Sequence, residues 1–194
     1  MAQPYRSIDH ASLAFLPIVK DTAARLFVVD LKDPIRIQTT PVVLTTSIED
    51  DSVPFVYVQG DEAMMSFFKK TEQFIEDTCI ANKAEWFSLA KKLDDDVLRR
   101  GFKTFFGDHG FKVKIGPDVA CFDQNKKPIG REDIPVNTTC RLILEMSRIS
   151  FGKHEYGAAW RVVQVQTVPM ECLINTEETP TEDPDLMSDI DEFI

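Results

Sequence analysis

Residues 137–168, NTTCRLILEMSRISFGKHEYGAAWRVVQVQTV, constrain this chain more than any other stretch. Two runs rich in Leu, Ile and Val flank a short connection containing Gly152 and Gly157, which predicts a long strand, a turn and a second long strand. Arg141, Arg148, Lys153, His154 and Arg161 alternate there with Phe151, Tyr156 and Trp160. Aromatic residues on strands commonly serve core packing, but a hairpin built only for packing has little need of so many cations. If Val163 and Val165 point inward, Arg161 shares their face near the rim and Trp160, Val162, Gln164 and Gln166 face outward. A one-residue bulge reverses that assignment.

The rest of the chain supplies a body for this hairpin. In its first third, residues 13–20, 25–31, 35–46 and 55–59 read as strands, with Pro17 and Pro41 marking an edge, bulge or break. The period then changes to helical. Asp61 is an expected N-cap, Met64, Phe67, Phe68, Phe74 and Ile75 form a stripe, and a second helical segment starts near Lys83 with Trp86, Leu89, Ala90, Leu93 and Val97. Asp94, Asp95 and Asp96 break or cap that segment before Leu98, Phe102 and Phe105. From Gly110 strands return. Phe111, Val113 and Ile115 alternate with Lys112 and Lys114, so both lysines share a face, and residues 123–127 form a hairpin loop. About eight strands around one helical block (residues 61–106) make a mostly β or α+β chain.

At 194 residues, with 43% hydrophobic content and 14 Phe, one domain with a sizeable core is expected over residues 1–175. Cys79, Cys121, Cys140 and Cys172 are too dispersed for a zinc site or a disulfide framework, so no metal or cofactor is expected, and reduced thiols fit an intracellular compartment. The amino terminus lacks signal-peptide features, and no apolar run approaches the roughly 18 residues that span a bilayer, so a soluble protein without a membrane partner is expected. Phosphate-binding loops, dinucleotide fingerprints and metalloprotease or hydrolase motifs are missing, and His10, His109 and His154 are scattered, which argues against an enzyme.

The formal net charge is −10, which at first sight excludes a polyanion as ligand. Eight of the acids lie in residues 176–194 with no Lys or Arg among them, which leaves the body at −2. A near-neutral body can carry a basic face. The segment itself, with Pro180 and Pro184 among its acids, reads as a disordered tail. It ends in Asp189, Ile190, Asp191, Glu192, Phe193 and Ile194, a pattern suited to docking. The mixture in residues 137–168, seconded by Lys112 and Lys114, predicts a surface that holds phosphates with cations and stacks bases on rings, as single-stranded nucleic acid requires.

The run Ile149-Ser150-Phe151-Gly152-Lys153-His154-Glu155-Tyr156-Gly157, followed by Trp160-Arg161-Val162-Val163-Gln164-Val165, resembles the carboxy-terminal strands of single-stranded-DNA-binding proteins of large nucleocytoplasmic DNA viruses. It is more distantly similar to replication proteins of short-tailed phages. The resemblance implies an OB fold interrupted by helices and an acidic tail with a terminal aromatic residue. On family grounds Lys153, Tyr156 and Trp160 inherit DNA contacts, and the residue pattern by itself marks the same three together with Arg148, Phe151, His154 and Arg161 as the nucleic-acid-binding candidates.

The reading that results is a sequence-independent single-stranded-DNA-binding protein for viral DNA replication, recombination or repair, acting in host cytoplasm or nucleus. Its tail would compete with DNA and recruit polymerase or helicase, and a homodimer is admitted. A protein-interaction or virion-structural module and an RNA-binding regulator are the alternatives, the latter because stacking and phosphate contacts serve both polymers.

Overall fold

The computed structural model describes residues 2–48, 55–87, 94–107, 110–116 and 118–169. The tail residues 176–194, with Asp189, Asp191, Glu192 and Phe193, lie outside them, as do Leu89, Ala90, Leu93, His109 and Cys172. The described strands are β1 (Gln3–Pro4), β2 (Val19–Asp21), β3 (Leu26–Gln38), β4 (Val42–Leu44), β5 (Phe55–Gln59), β6 (Phe106–Gly107), β7 (Gly110–Lys114), β8 (Ala120–Phe122), β9 (Thr139–Phe151), β10 (Tyr156–Ala158) and β11 (Trp160–Thr167). Among the described residues, the helices α1 (Glu62–Ala81), α2 (Lys83–Trp86) and α3 (Asp95–Gly101) fall between β5 and β6.

The long hairpin supplies the closure. β9 pairs antiparallel with β4 and with β11, β4 with β5, β5 with β7, and β7 runs parallel to β11, so five strands form a closed barrel. Around the ring lie the first, second, third, fifth and fourth barrel strands in chain order, with one parallel pair. This is the Greek-key barrel of the OB fold. Beyond the barrel, the second half of β9 carries β3 on one edge and β10 folded back on the other.

Two local irregularities set which side chains face out. Asp33 and Pro34, read as a separator from the sequence, lie inside one 13-residue strand, where the register with β9 shifts between Asp30 and Ile35. A proline cannot donate to a ladder, and a bulge removes that demand. At Pro41 the expected break is real, since β3 ends at Gln38 and β4 begins at Val42. A second shift lies between Val162 and Gln164 in β11. The bulge alternative therefore holds: Trp160 and Val162 are buried and Arg161 faces out.

The helical block packs onto the barrel's core. Asp61 caps α1 by accepting from the Met64 amide at 2.7 Å, as its position before an apolar stripe requires. Met64, Phe67, Phe68, Thr71, Ile75 and Cys79 form the helix's buried face. Phe68 stacks on Phe111 of β7 at 4.1 Å between centroids and meets Trp160 edge-on at 5.3 Å. Each such ring contributes about 1.5–3 kcal/mol through burial. Cys79, Cys121 and Cys140 are free thiols inside this core, and burial pushes Cys79 and Cys140 up to about 12. Among the described residues no helix is long and apolar enough to cross a membrane.

Because Trp160 is fully buried between α1 and the barrel, Trp160→Ala is expected to cost about 3–5 kcal/mol of stability in chemical denaturation. Lys153→Ala, at an exposed turn position, should stay within about 0.5 kcal/mol. Similar small effects at both positions would contradict this placement.

Candidate nucleic-acid interface

Period-two alternation separates the two faces of β5 and β7. Val56, Val58, Phe111 and Val113 point into the core, which puts Phe55, Tyr57, Lys112 and Lys114 on the outer wall. The antiparallel register sets Phe55 opposite Lys114 and Tyr57 opposite Lys112. Lys112 Nζ lies 4.3 Å from the centroid of the partly exposed Phe55 ring, close enough for a cation–π contact. A flat ring and an ammonium group thus share one small patch.

That patch is the floor of a groove. A cavity of about 230 Å³ opens over it, walled by one stretch, Lys103, Thr104 and Phe105, and by a second beside it, Gly152, Glu155, Tyr156 and Gly157. The second wall is the turn of the long hairpin, in which the Gly152 amide donates to the Glu155 carbonyl at 2.8 Å. The segment after α3 joins it closely, since the Lys103 amide donates to the Tyr156 carbonyl at 2.8 Å. Gly157 permits this approach, because a Cβ there would sit 2.9 Å from the Lys103 carbonyl oxygen. Lys103 Nζ and the Glu155 carboxylate form an ion pair between these two stretches, both more than half exposed. In an OB barrel the face of the second and third strands, with the loops after the first and fourth, is where extended polymers lie. Here those strands are β5 and β7, and the loop after the fourth is residues 152–155.

The residues singled out from the sequence divide into three groups. Lys112, Lys114, Lys153 and His154 stand on the outer wall or in the turn, exposed or partly so. Arg148 and Arg161 are also exposed but engaged: Arg148 pairs with Asp21 and Asp30 at 3.2 and 3.0 Å, and Arg161 with Glu145 at 2.8 Å. Hydrogen bonds from the Ala24 and Ala23 amides, with Arg148 close by, hold the Asp21 carboxyl below the usual range. The three aromatics are not open platforms. Trp160 is fully buried, and Phe151 and Tyr156 stack at 5.9 Å within the core, each met edge-on by Phe87 at 5.1 Å. Burial also pushes the Tyr156 hydroxyl well above its ordinary value. Their part in the hairpin is to hold it against the helices, and only Tyr156 also borders the groove.

Phe55 and Lys103 are groove residues that sequence reading did not place among its binding candidates. The alternation in FVYVQ could have marked Phe55 and Tyr57 as outward, as it did for the lysines of GFKVK. Lys103 carries no such signal, because a contact across 52 residues places it beside Glu155. Among the described residues no group of three or more His, Cys, Asp or Glu is arranged to hold a metal.

Fold and wall together define an OB-type barrel with a basic, aromatic outer face. The model of a family of unknown function (DUF5871) matches residues 44–180, and the chain belongs to that family. No curated protein matches it. Among solved structures, it is similar to the single-stranded DNA-binding protein from bacteriophage Enc34, with a TM-score of 0.47 and 12% identity over 89% of this chain and 98% of that one. The same phage protein in complex with single-stranded DNA gives 0.45 and 12% over 83% and 97%.

Two substitutions probe the groove. If a single strand lies in the groove, Phe55→Ala should weaken oligo-dT binding about 5- to 150-fold, the equivalent of about 1–3 kcal/mol for one stacked base. Glu155→Gln should tighten it a few-fold at low salt by freeing Lys103 for phosphate. Fluorescence anisotropy with labelled oligo-dT measures both, and no change in either would remove the groove from consideration.

Proposed function

We propose that this protein binds single-stranded DNA without sequence preference, along the outer face of β5 and β7 and under the turn of the long hairpin. The observation that carries the reading is Lys112 poised over Phe55 on the floor of the groove. Base stacking needs an accessible ring, backbone binding needs cations within reach of it, and a sequence-tolerant site needs no array of fixed base-edge donors. Lys103, Lys112, Lys114 and Lys153 supply the cations.

The finer reading is a role in replication, recombination or repair of a viral genome, supported by the resemblance of residues 149–165 to viral single-stranded-DNA-binding proteins. Residues 176–194 would compete for the basic groove as an intramolecular polyanion. On DNA binding they would be released for a polymerase or helicase, with Asp189, Asp191, Glu192 and Phe193 as the docking end. Single-stranded DNA and replication proteins are the expected partners, and no catalytic step is part of the proposal.

Titrating oligo-dT against the full chain and against a chain ending at Asn175 tests both levels. Expected are salt-sensitive binding by both and tighter binding by the shortened chain at moderate salt. Equal or weaker affinity after truncation would refute the competitor role. No binding at low salt would refute nucleic-acid binding and favour a protein-interaction module. Preference for a matched RNA oligomer would move the assignment to RNA.

A further inference from the structure

The outer wall carries a second built feature beyond the groove. Across neighbouring strands, Arg36 of β3 is the register partner of Glu145 of β9, Glu145 of Arg161 of β11, Arg161 of Lys114 of β7, and Lys114 of Phe55. Directly opposed residues on adjacent strands project to the same face. Arg36, Glu145, Arg161 and Lys114 therefore make a single row that ends at the ring on the groove floor. With strands about 4.8 Å apart, its four gaps span about 19 Å.

The centre of this row is fixed by a buried carboxylate. Glu145 is only 7% exposed, and its two oxygens accept separately: Oε2 from Arg36 Nε and Oε1 from Arg161 Nη2. Burial alone would raise the carboxyl, but the two guanidinium hydrogen bonds outweigh it and hold Glu145 below its ordinary value. One carboxylate thus faces two permanent cations, whose side chains stay 50% and 48% exposed. A guanidinium has five N–H donors in a rigid fork, so each arginine keeps donors beyond the one given to Glu145. Anchoring also removes in advance much of the rotamer freedom that a long side chain loses when it grips a ligand.

We propose that Arg36 and Arg161, held in place by Glu145, form a phosphate-binding subsite that extends the groove across β11 and β9, with Lys114 as the link between the two. The ligand is the backbone of the same single strand whose bases reach Phe55, so the subsite rests on the reading given under Proposed function. Glu145 is a positioning residue, which touches the arginines and not the strand. Arg36 was not among the candidates that the sequence suggested, because only the β3–β9 register brings it to Arg161.

The test is the salt dependence of oligo-dT binding by the full chain and its variants, with thermal melting alongside. Each phosphate contact to a single strand contributes about 0.7 to the slope of log K against log salt. Arg36→Gln and Arg161→Gln should each lower the slope by about that amount, Arg36→Lys should restore it, and Lys114→Gln should lower it without altering the melting temperature. If a Gln variant proves unfolded, Arg36→Ala combined with Glu145→Ala removes the whole pair and should also cost about 0.7 in slope. Unchanged slopes in the folded arginine variants, with Phe55→Ala and Lys112→Ala still weakening binding, would overturn the subsite and leave the groove intact. Failure of the unaltered chain to bind at all would overturn the underlying reading as well.

Discussion

One strand has to satisfy four neighbours. The first half of β9 hydrogen-bonds to β4 and β11 and closes the barrel, while its second half pairs with β3 and β10 and carries the turn over the groove. A strand of 13 residues can serve both purposes only if its partners hand over along its length. They do so at Ala159, where the returning chain leaves β10 and begins β11, next to the bulge after Val162. That bulge turns Trp160 into the core and Arg161 out beside Glu145. The packing that fastens the helices to the barrel and the row of charges on its wall are consequences of the same handover.

Much of this was legible in the sequence because alternation and capping are local. The helix beginning after Asp61, the outward lysines of β7, the loop at residues 123–127 and the two long terminal strands follow from neighbouring residues alone. Trp160 was not legible in the same way. A tryptophan beside Arg161 on a β-strand fits either face, and only the bulge, together with Phe67 and Phe68 arriving from a helix some 90 positions earlier, decides for the core. Phe151 and Tyr156 likewise looked like platforms in isolation, and Phe87 and Phe102 cover them in the fold. The ring on the groove floor, Phe55, stands in a segment with no cation near it in sequence. Its partner Lys112 comes from a strand on the far side of the helical block.

The charge distribution follows the same logic. A chain at −10 can present a basic wall because many of its acids are spent elsewhere or on other cations: eight lie in residues 176–194, Asp21 and Asp30 pair with Arg148, and Glu76 and Asp77 hold Arg99 on the helices. Among the described residues, Arg36, Lys103, Lys112, Lys114, Lys153 and Arg161 stand around the groove and the row beside it, with the carboxylates Glu145 and Glu155 and with Glu72, which accepts from the Phe105 amide. Such a local excess steers a polyanion to one face of a protein that repels it on average.

The central claim is that a single strand lies across β5 and β7 with its bases at Phe55. Photocrosslinking of halogenated oligo-dT, with the modified peptides mapped by mass spectrometry, tests it most directly. Crosslinks concentrated in residues 55–59, 110–116 and 152–157 are expected. Crosslinks confined to the helical block at residues 62–101, with none on β5 or β7, would contradict it.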